Sequence, residues 1–297
     1  MEPILYSRFA VRRLLAKLGH PPRKALGQHF LYSQPTLERL VHLAQLPRDL
    51  PVIEIGPGLG HLTHALLSAG YRVVAVELDR VLAQHLVESR DLFGELSVHC
   101  ADALAVSLGS LVPESPRFCV AGNLPYYASS KLLFHLLEEG ERIARMGLML
   151  QEEVALRMVA PPGGKDYGRL SVMCQYWGEP KLALRVSRRN FFPVPEVDSA
   201  FVVWTPERRR PAKDEGAFRR LVASAFAERR KMLKSMPVSA GGGAAWTREA
   251  LLSACGAAGI EPTRRAETLS VQEFLDLADA LATCTGGERE RAPESRL

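Results

Sequence analysis

Two asparagines occur in the 297 residues, and one of them stands in Gly122-Asn123-Leu124-Pro125-Tyr126-Tyr127. An exocyclic amine on an aromatic base is a poor nucleophile because its lone pair is delocalised into the ring. The side-chain oxygen of Asn123 and the backbone carbonyl of Leu124 can hold both amine hydrogens out of the ring plane. That geometry frees the lone pair for in-line attack on a sulfonium methyl. Pro125 brings no backbone donor and stiffens the turn. Tyr126 offers a face on which a base can stack, worth about 1–3 kcal/mol. No general base is needed before attack, since the product ammonium loses its proton to water, so positioning carries the catalysis. The plainer use of the same residues is an Asn-Pro turn with a packed tyrosine.

Two further constellations bear on the electrophile. Gly56-Pro57-Gly58-Leu59-Gly60 follows the apolar run Pro51-Val-Ile-Glu-Ile55 and opens a helical pattern. Glycines at such a junction let a ligand approach the backbone without meeting a Cβ, and the helix start offers free amides. A dinucleotide fingerprint would need glycine at position 61, where His61 stands. The departure argues against a nicotinamide cofactor and leans toward an S-adenosylmethionine fold. Glu77 ends a second β-rich run, placed to accept both hydroxyls of a ribose, and Asp102 follows a third, placed to accept from an adenine amine. Either acid alone is more simply a helix cap or a solvated loop residue. Glycines, Glu77 and Asp102 at three successive strand tips favour a nucleoside site.

The elements that must position these tips alternate. Residues 51–55, 72–77, 96–100, 117–121 and 147–150 read as strands, with amphipathic helical stretches between them. Alternation with short connections predicts a parallel sheet covered on both faces. Two more strands, 181–186 and 199–204, are joined by a Pro-rich turn. The predicted organisation is an N-terminal extension 1–22, an α/β domain 23–205, a basic linker 206–216, a helical domain 217–284 and a frayed tail 285–297. Gly241-Gly-Gly243 interrupts the helical part as a flexible stretch.

Composition narrows the class. The apolar fraction is 47% and the charged fraction 24%, an ordinary globular balance. No apolar run approaches the roughly 20 residues of a membrane-spanning helix, and the arginine-scattered N-terminus does not read as a secretory signal. Five cysteines without a Cys-x-x-Cys pair argue against a disulfide framework or a zinc site and suit reduced thiols in a cytoplasmic protein. Net charge is +5, but residues 181–234 hold 14 Lys+Arg against 6 acids, leaving the remainder at −3. Such a block suits a polyphosphate partner, or else a solvated helix surface. Arg229, Arg230, Lys231 and Lys234 fall at spacings expected to crowd one or two helix faces.

With these residues in hand, the chain resembles the ribosomal small-subunit RNA adenine dimethyltransferases of the KsgA type, from about Arg23 to Ala280. The likeness lies in Lys24-Ala-Leu-Gly-Gln-His-Phe-Leu31, Val52 to Gly60, Val76-Glu-Leu-Asp79, Gly122 to Tyr126, Tyr167-Gly-Arg-Leu-Ser171, Phe192 to Ser199, Arg229-Arg-Lys231 and Arg264 to Ser270. The resemblance implies a Rossmann-like S-adenosylmethionine-dependent methyltransferase sheet with a small all-α C-terminal domain. It implies dimethylation of two adjacent adenosines near the 3′ end of small-subunit rRNA within a pre-30S particle. The implied cofactor is S-adenosyl-L-methionine, with no metal, no membrane and no disulfides. Carried onto this sequence, Asn123, Leu124, Pro125 and Tyr126 form the catalytic motif. The cofactor contacts are His29, Leu31, Gly56, Gly58, Glu77, Asp102 and Asn123. Tyr126, Phe191, Arg229, Arg230 and Lys231 face the RNA, with Phe191 favoured over Phe192 as the second wall for a flipped base. His29 stands where a common family pattern has Asn, which makes its contact sensitive to pH. Gln151-Glu152-Glu153 borders the substrate mouth or simply opens a helix. Two rival classes remain: a related methylase of large-subunit rRNA, and a non-catalytic RNA-binding factor. Arg264 to Ser270 weighs against the first, the intact Asn123 motif and Glu77 against the second.

Overall fold

Val52–Ile55 and Val73–Glu77 are buried at every position, as strands covered on both faces require. A computed structural model of the chain describes residues 6–89, 95–208, 210–228, 230–237 and 246–289. The strands are β1 (Phe30–Leu31), β2 (Val52–Ile55), β3 (Val73–Glu77), β4 (Leu96–Cys100), β5 (Phe118–Asn123), β6 (Ile143–Gln151), β7 (Lys181–Val186), β8 (Phe191–Phe192) and β9 (Ser199–Trp204). The helices are α1 (Arg8–Lys17), α2 (Gln34–Ala44), α3 (His61–Ser68), α4 (Arg80–Ser89), α5 (Ser129–Glu139), α6 (Glu152–Val159), α7 (Arg169–Tyr176), α8 (Glu215–Ala227), α9 (Arg248–Ala257) and α10 (Val271–Arg289).

Seven strands form one sheet in the order β4-β3-β2-β5-β6-β9-β7. Neighbours from β4 through β6 run parallel, and β9 lies antiparallel to both β6 and β7. The strand order therefore reverses between β2 and β5, the place where open α/β sheets bind ligands beyond the carboxyl ends of their strands. There Ile55 pairs with Gly122. A Cβ on Gly122 would stand 2.7 Å from the Ile55 carbonyl oxygen, so the two strands can approach this closely only with glycine.

The chain divides into two compact units, Met1–Leu156 with Gly178–Glu207, and Arg157–Trp177 with Arg208–Leu297. The division departs from the predicted 23–205 domain, because Arg157–Trp177 belongs with the C-terminal helices. There the Tyr167 hydroxyl donates to the Leu269 carbonyl at 2.8 Å, and the Tyr176 ring lies 4.6 Å from that of Phe218. Phe218, Leu221, Leu251, Phe274 and Leu277 complete that helical core. The N-terminal extension carries α1. Val11 and Leu15 of α1 pack with Phe30, Leu59 and Leu82.

Past residue 205 the basic linker is pinned. The Arg208 guanidinium lies 2.9 Å from Glu215 and 4.0 Å from the centre of the Trp177 ring, and Arg210 pairs with Asp276 at 2.6 Å and with Asp279. At the other end α10 runs to Arg289, beyond the predicted boundary at 284. Arg209, Arg229, Gly241-Gly-Gly243 and the tail from 290 onward lie outside the described residues.

Candidate functional site

A pocket opens at the reversal point, lined by segments from five strand ends. It includes His29, Phe30 and Leu31, Gly56 to Leu59, Glu77, Ala101 to Leu104, Asn123, Pro125 and Tyr127. Gly56 sits at φ +67°, a region that suits glycine, and a Cβ built on it would meet nothing within 4 Å. The turn thus leaves open space beside the Gly56 backbone where it lines the pocket.

Glu77 closes the first wall. Its Oε2 accepts from the Gly58 amide and its Oε1 from the Asp79 amide, both at 2.9 Å. The predicted ribose acceptor therefore also latches the glycine turn to the tip of β3. Burial raises the pKa of its carboxyl, against the opposing pull of these amides. Asp79 in turn gathers the segment before β1. His20 Nε2 stands 3.0 Å and an Arg23 guanidinium nitrogen 3.3 Å from its Oδ2, to which Gln28 also donates at 3.3 Å. Asp102 lines the pocket while its Oδ1 accepts from the Leu104 amide at 2.9 Å, within a turn and not at the start of a helix.

The opposite wall is the Asn123 motif. Asn123 ends β5, where its Nδ2 donates to the His29 carbonyl at 2.9 Å. That bond fixes the amide so that Oδ1 is buried and meets no protein donor. The Leu124 amide donates to the Met149 carbonyl at 3.0 Å, while the Pro125 and Tyr126 carbonyls accept from Ala128 and from the Ser129 hydroxyl. Among the described residues the Leu124 carbonyl has no such donor. A buried acceptor without a partner costs about 1–3 kcal/mol, so Asn123 Oδ1 calls for a donor from outside the chain.

The remaining predicted residues divide. His29 lines the pocket, yet its ring stacks on Tyr126 at 5.2 Å between centroids and 26° between planes, and its Nδ1 lies 2.8 Å from the Pro193 carbonyl. One face of Tyr126 is therefore already covered. The Tyr126 hydroxyl lies 2.8 Å from Ser199 Oγ, while Tyr127 is the exposed tyrosine, at 57%. Leu31 pairs with Phe191 across the β1–β8 ladder and is buried in the core. Phe191 itself is 0% exposed, which overturns its assignment as the base-facing ring; Phe192, half-buried, is the one at the surface. Adjacent strand residues point to opposite faces, and the face of β8 that packs inward takes Phe191. The basic cluster also differs from expectation. Helix α8 ends at Ala227, so Arg230 and Lys231 lie beyond it and share no helix face with Lys234, which sits in a short turn, Leu233–Ser235. Arg230 and Lys231 are exposed, and Lys231 is 2.6 Å from Glu228. Glu152 and Glu153 open α6, with Glu152 2.7 Å from Arg185.

Sequence reasoning missed Glu54. It lies inside β2, fully buried among the pocket-lining residues, and burial pushes its carboxyl up to about 8, the nearby charge of Glu77 adding to the effect. An acid within an otherwise apolar strand, two residues before the first glycine, is a signal that was present.

The sheet order and the converging tips of β2, β3 and β5 define a Rossmann-like methyltransferase. The sequence pattern of the family described as "Ribosomal RNA adenine dimethylase" matches residues 19–283. Ribosomal RNA small subunit methyltransferase A of Moorella thermoacetica is 39% identical over 279 residues, covering 90% of this chain and 95% of the relative. The protein of that name from Nitrosococcus oceani is 42% identical over 264 residues, covering 88% and 96%. Among solved structures, 23S rRNA methyltransferase ErmE is 28% identical with a TM-score of 0.63, covering 85% of this chain and 99% of its own. A dimethyladenosine transferase from Plasmodium falciparum, at 23% identity, shares the fold with a TM-score of 0.71, covering 84% and 96%. The chain belongs to the ribosomal RNA adenine dimethylase family.

Proposed function

We propose that the chain transfers methyl groups from S-adenosyl-L-methionine to the exocyclic amines of two adjacent adenosines near the 3′ end of small-subunit rRNA. The substrate is a pre-30S particle in the cytoplasm. The observation that carries the reading is the buried Asn123 Oδ1, held without a protein donor beside the pocket by the bond from its own amide to His29.

The pocket residues fit the cofactor, which supplies an electrophilic methyl group on a sulfonium. The open Gly56 position admits it against the backbone, Glu77 takes the ribose hydroxyls, and Asp102 takes the adenine amine. His29, just before β1, and Leu31, within it, cover the cofactor, Leu31 through its backbone, since its side chain is in the core. Asn123 Oδ1 and the Leu124 carbonyl accept the two hydrogens of the target amine and set its lone pair toward the pocket. Pro125 keeps a competing amide out of this corner. Tyr126 stacks the base on the face that His29 leaves open. Arg229, Arg230 and Lys231 hold RNA phosphates, a role that suits the exposure of Arg230 and Lys231; Arg229 is assigned from the sequence alone.

No described helix is long and apolar enough to cross a membrane, and no described group of three or more His, Cys, Asp or Glu is placed to hold a metal. Relatives of 39% and 42% identity named for the small subunit favour that target over the large subunit. Reaction of the chain with labelled S-adenosylmethionine and each ribosomal subunit in undermethylated form, followed by nucleoside analysis, tests the reading. Label in dimethyladenosine from the small subunit is expected. Label only from the large subunit, or none, refutes it.

A further inference from the structure

From residue 3 to residue 37 the chain carries six cations, Arg8, Arg12, Arg13, Lys17, Arg23 and Lys24, and no acid. Four of them fall on α1, a stretch that precedes the segment matched by the family pattern. The helix is capped by Ser7, whose hydroxyl accepts from the Ala10 amide at 3.1 Å. Its inward face, Ala10, Val11 and Leu15, is buried. At about 100° per residue, Arg8, Phe9, Arg12, Arg13, Ala16 and Lys17 occupy the other half of the wheel. All six are exposed, and Phe9, at 75%, is the most exposed of the large apolar residues described. Arg12 and Lys17 have no carboxylate partner among the described residues. The block 181–234 is different, because many of its cations are matched internally: Arg185, Arg208, Arg210, Arg219 and Arg220 all sit in ion pairs.

The exposed face is also continuous with the site. The Arg8 guanidinium lies 5.6 Å above the centre of the Phe192 ring. The next residue, Pro193, offers its carbonyl to His29, and the His29 carbonyl holds Asn123. Phe192, Pro193 and His29 thus connect the outer face of α1 to Asn123.

We propose that the outer face of α1, formed by Arg8, Phe9, Arg12 and Lys17, is an RNA-docking surface for the strand flanking the target adenosines. The cations take phosphates, and Phe9 takes the face of an unpaired base. The proposal rests on the rRNA reading of the site. An anionic membrane fits less well, since the apolar face that would enter it is already packed against the core.

The test uses the full chain, undermethylated small subunits, and filter binding across a salt series. Arg12→Ala/Lys17→Ala should weaken binding and lower the slope of log Kd against log salt by up to about 0.7–0.9 for each lost phosphate contact. Phe9→Ala should weaken binding at least about 5-fold without changing that slope, and Phe9→Trp should restore it. In every variant, kcat at saturating subunits and affinity for S-adenosylmethionine should stay at the parent values. Unchanged Kd and slope in both alanine variants overturn the proposal. So does sedimentation of the parent protein with phosphatidylglycerol vesicles that small subunits fail to compete away. A parent protein that transfers no methyl group to either subunit refutes the enzymatic reading instead, while the binding comparison still decides the role of α1.

Discussion

Replacing Glu77 with glutamine separates its two tasks. In the structure each carboxylate oxygen takes one backbone amide, from Gly58 and Asp79, at 2.9 Å. An ionised carboxylate has about four acceptor sites, so two remain for the ribose. Glutamine keeps one acceptor oxygen and turns an NH2 toward the other amide. A hydrogen bond to a charged group is worth about 1.5–3 kcal/mol, which converts to an affinity loss of about 10- to 150-fold. Stability of the free protein should fall less than this loss suggests. Burial already disfavours the charged carboxylate, and the neutral side chain removes that penalty. Calorimetric titration with S-adenosylmethionine and thermal melting of the free protein, done side by side, read the two effects. The pH dependence adds a check. Because the carboxyl pKa is raised, the parent should begin to lose affinity at a pH above the usual range for a glutamate, and Glu77→Gln should show no such limb. A folded variant that binds within twofold of the parent would refute the ribose assignment.

Asn123→Ala should cut kcat by about 10- to 150-fold, from loss of one acceptor to an amine gaining positive charge, with cofactor affinity within a few fold; single-turnover transfer measures it. Glu54 keeps its proton in the fold to about pH 8 but releases it near 4.5 when unfolded. Stability should therefore fall as pH rises between these values, by up to about 1.4 kcal/mol per pH unit, and Glu54→Gln should flatten that slope in melts at pH 5 and 8. Phe191→Ala should cost about 3–5 kcal/mol of stability in denaturant melts, as a buried core phenylalanine does, and Phe192→Ala much less. Equal losses would contradict the burial of Phe191.

What was legible in the sequence followed strand tips. Gly56, Glu77 and Asn123 each end a short apolar run, and a parallel sheet brings such ends to one edge. The parts that were not legible depend on partners distant in the chain. The pairs Arg210–Asp276 and Arg185–Glu152 neutralise charges that a count over 181–234 leaves exposed. Nothing local distinguishes Phe191 from Phe192, since the inward face of β8 is fixed by pairing with β1, about 160 residues earlier. The placement of Arg157–Trp177 likewise depends on Leu269 and Phe218. Glu54 was visible as a lone acid in an apolar run, but its raised pKa comes from burial that only the folded chain supplies.

The most direct measurement of the central claim is mass mapping of small-subunit rRNA after reaction with labelled S-adenosylmethionine, starting from undermethylated particles. Two neighbouring adenosines near the 3′ end, each carrying two methyl groups, are expected with the parent protein, and their loss with Asn123→Ala. Label on a different nucleoside, or an unmodified pair beside an active enzyme, would contradict the account.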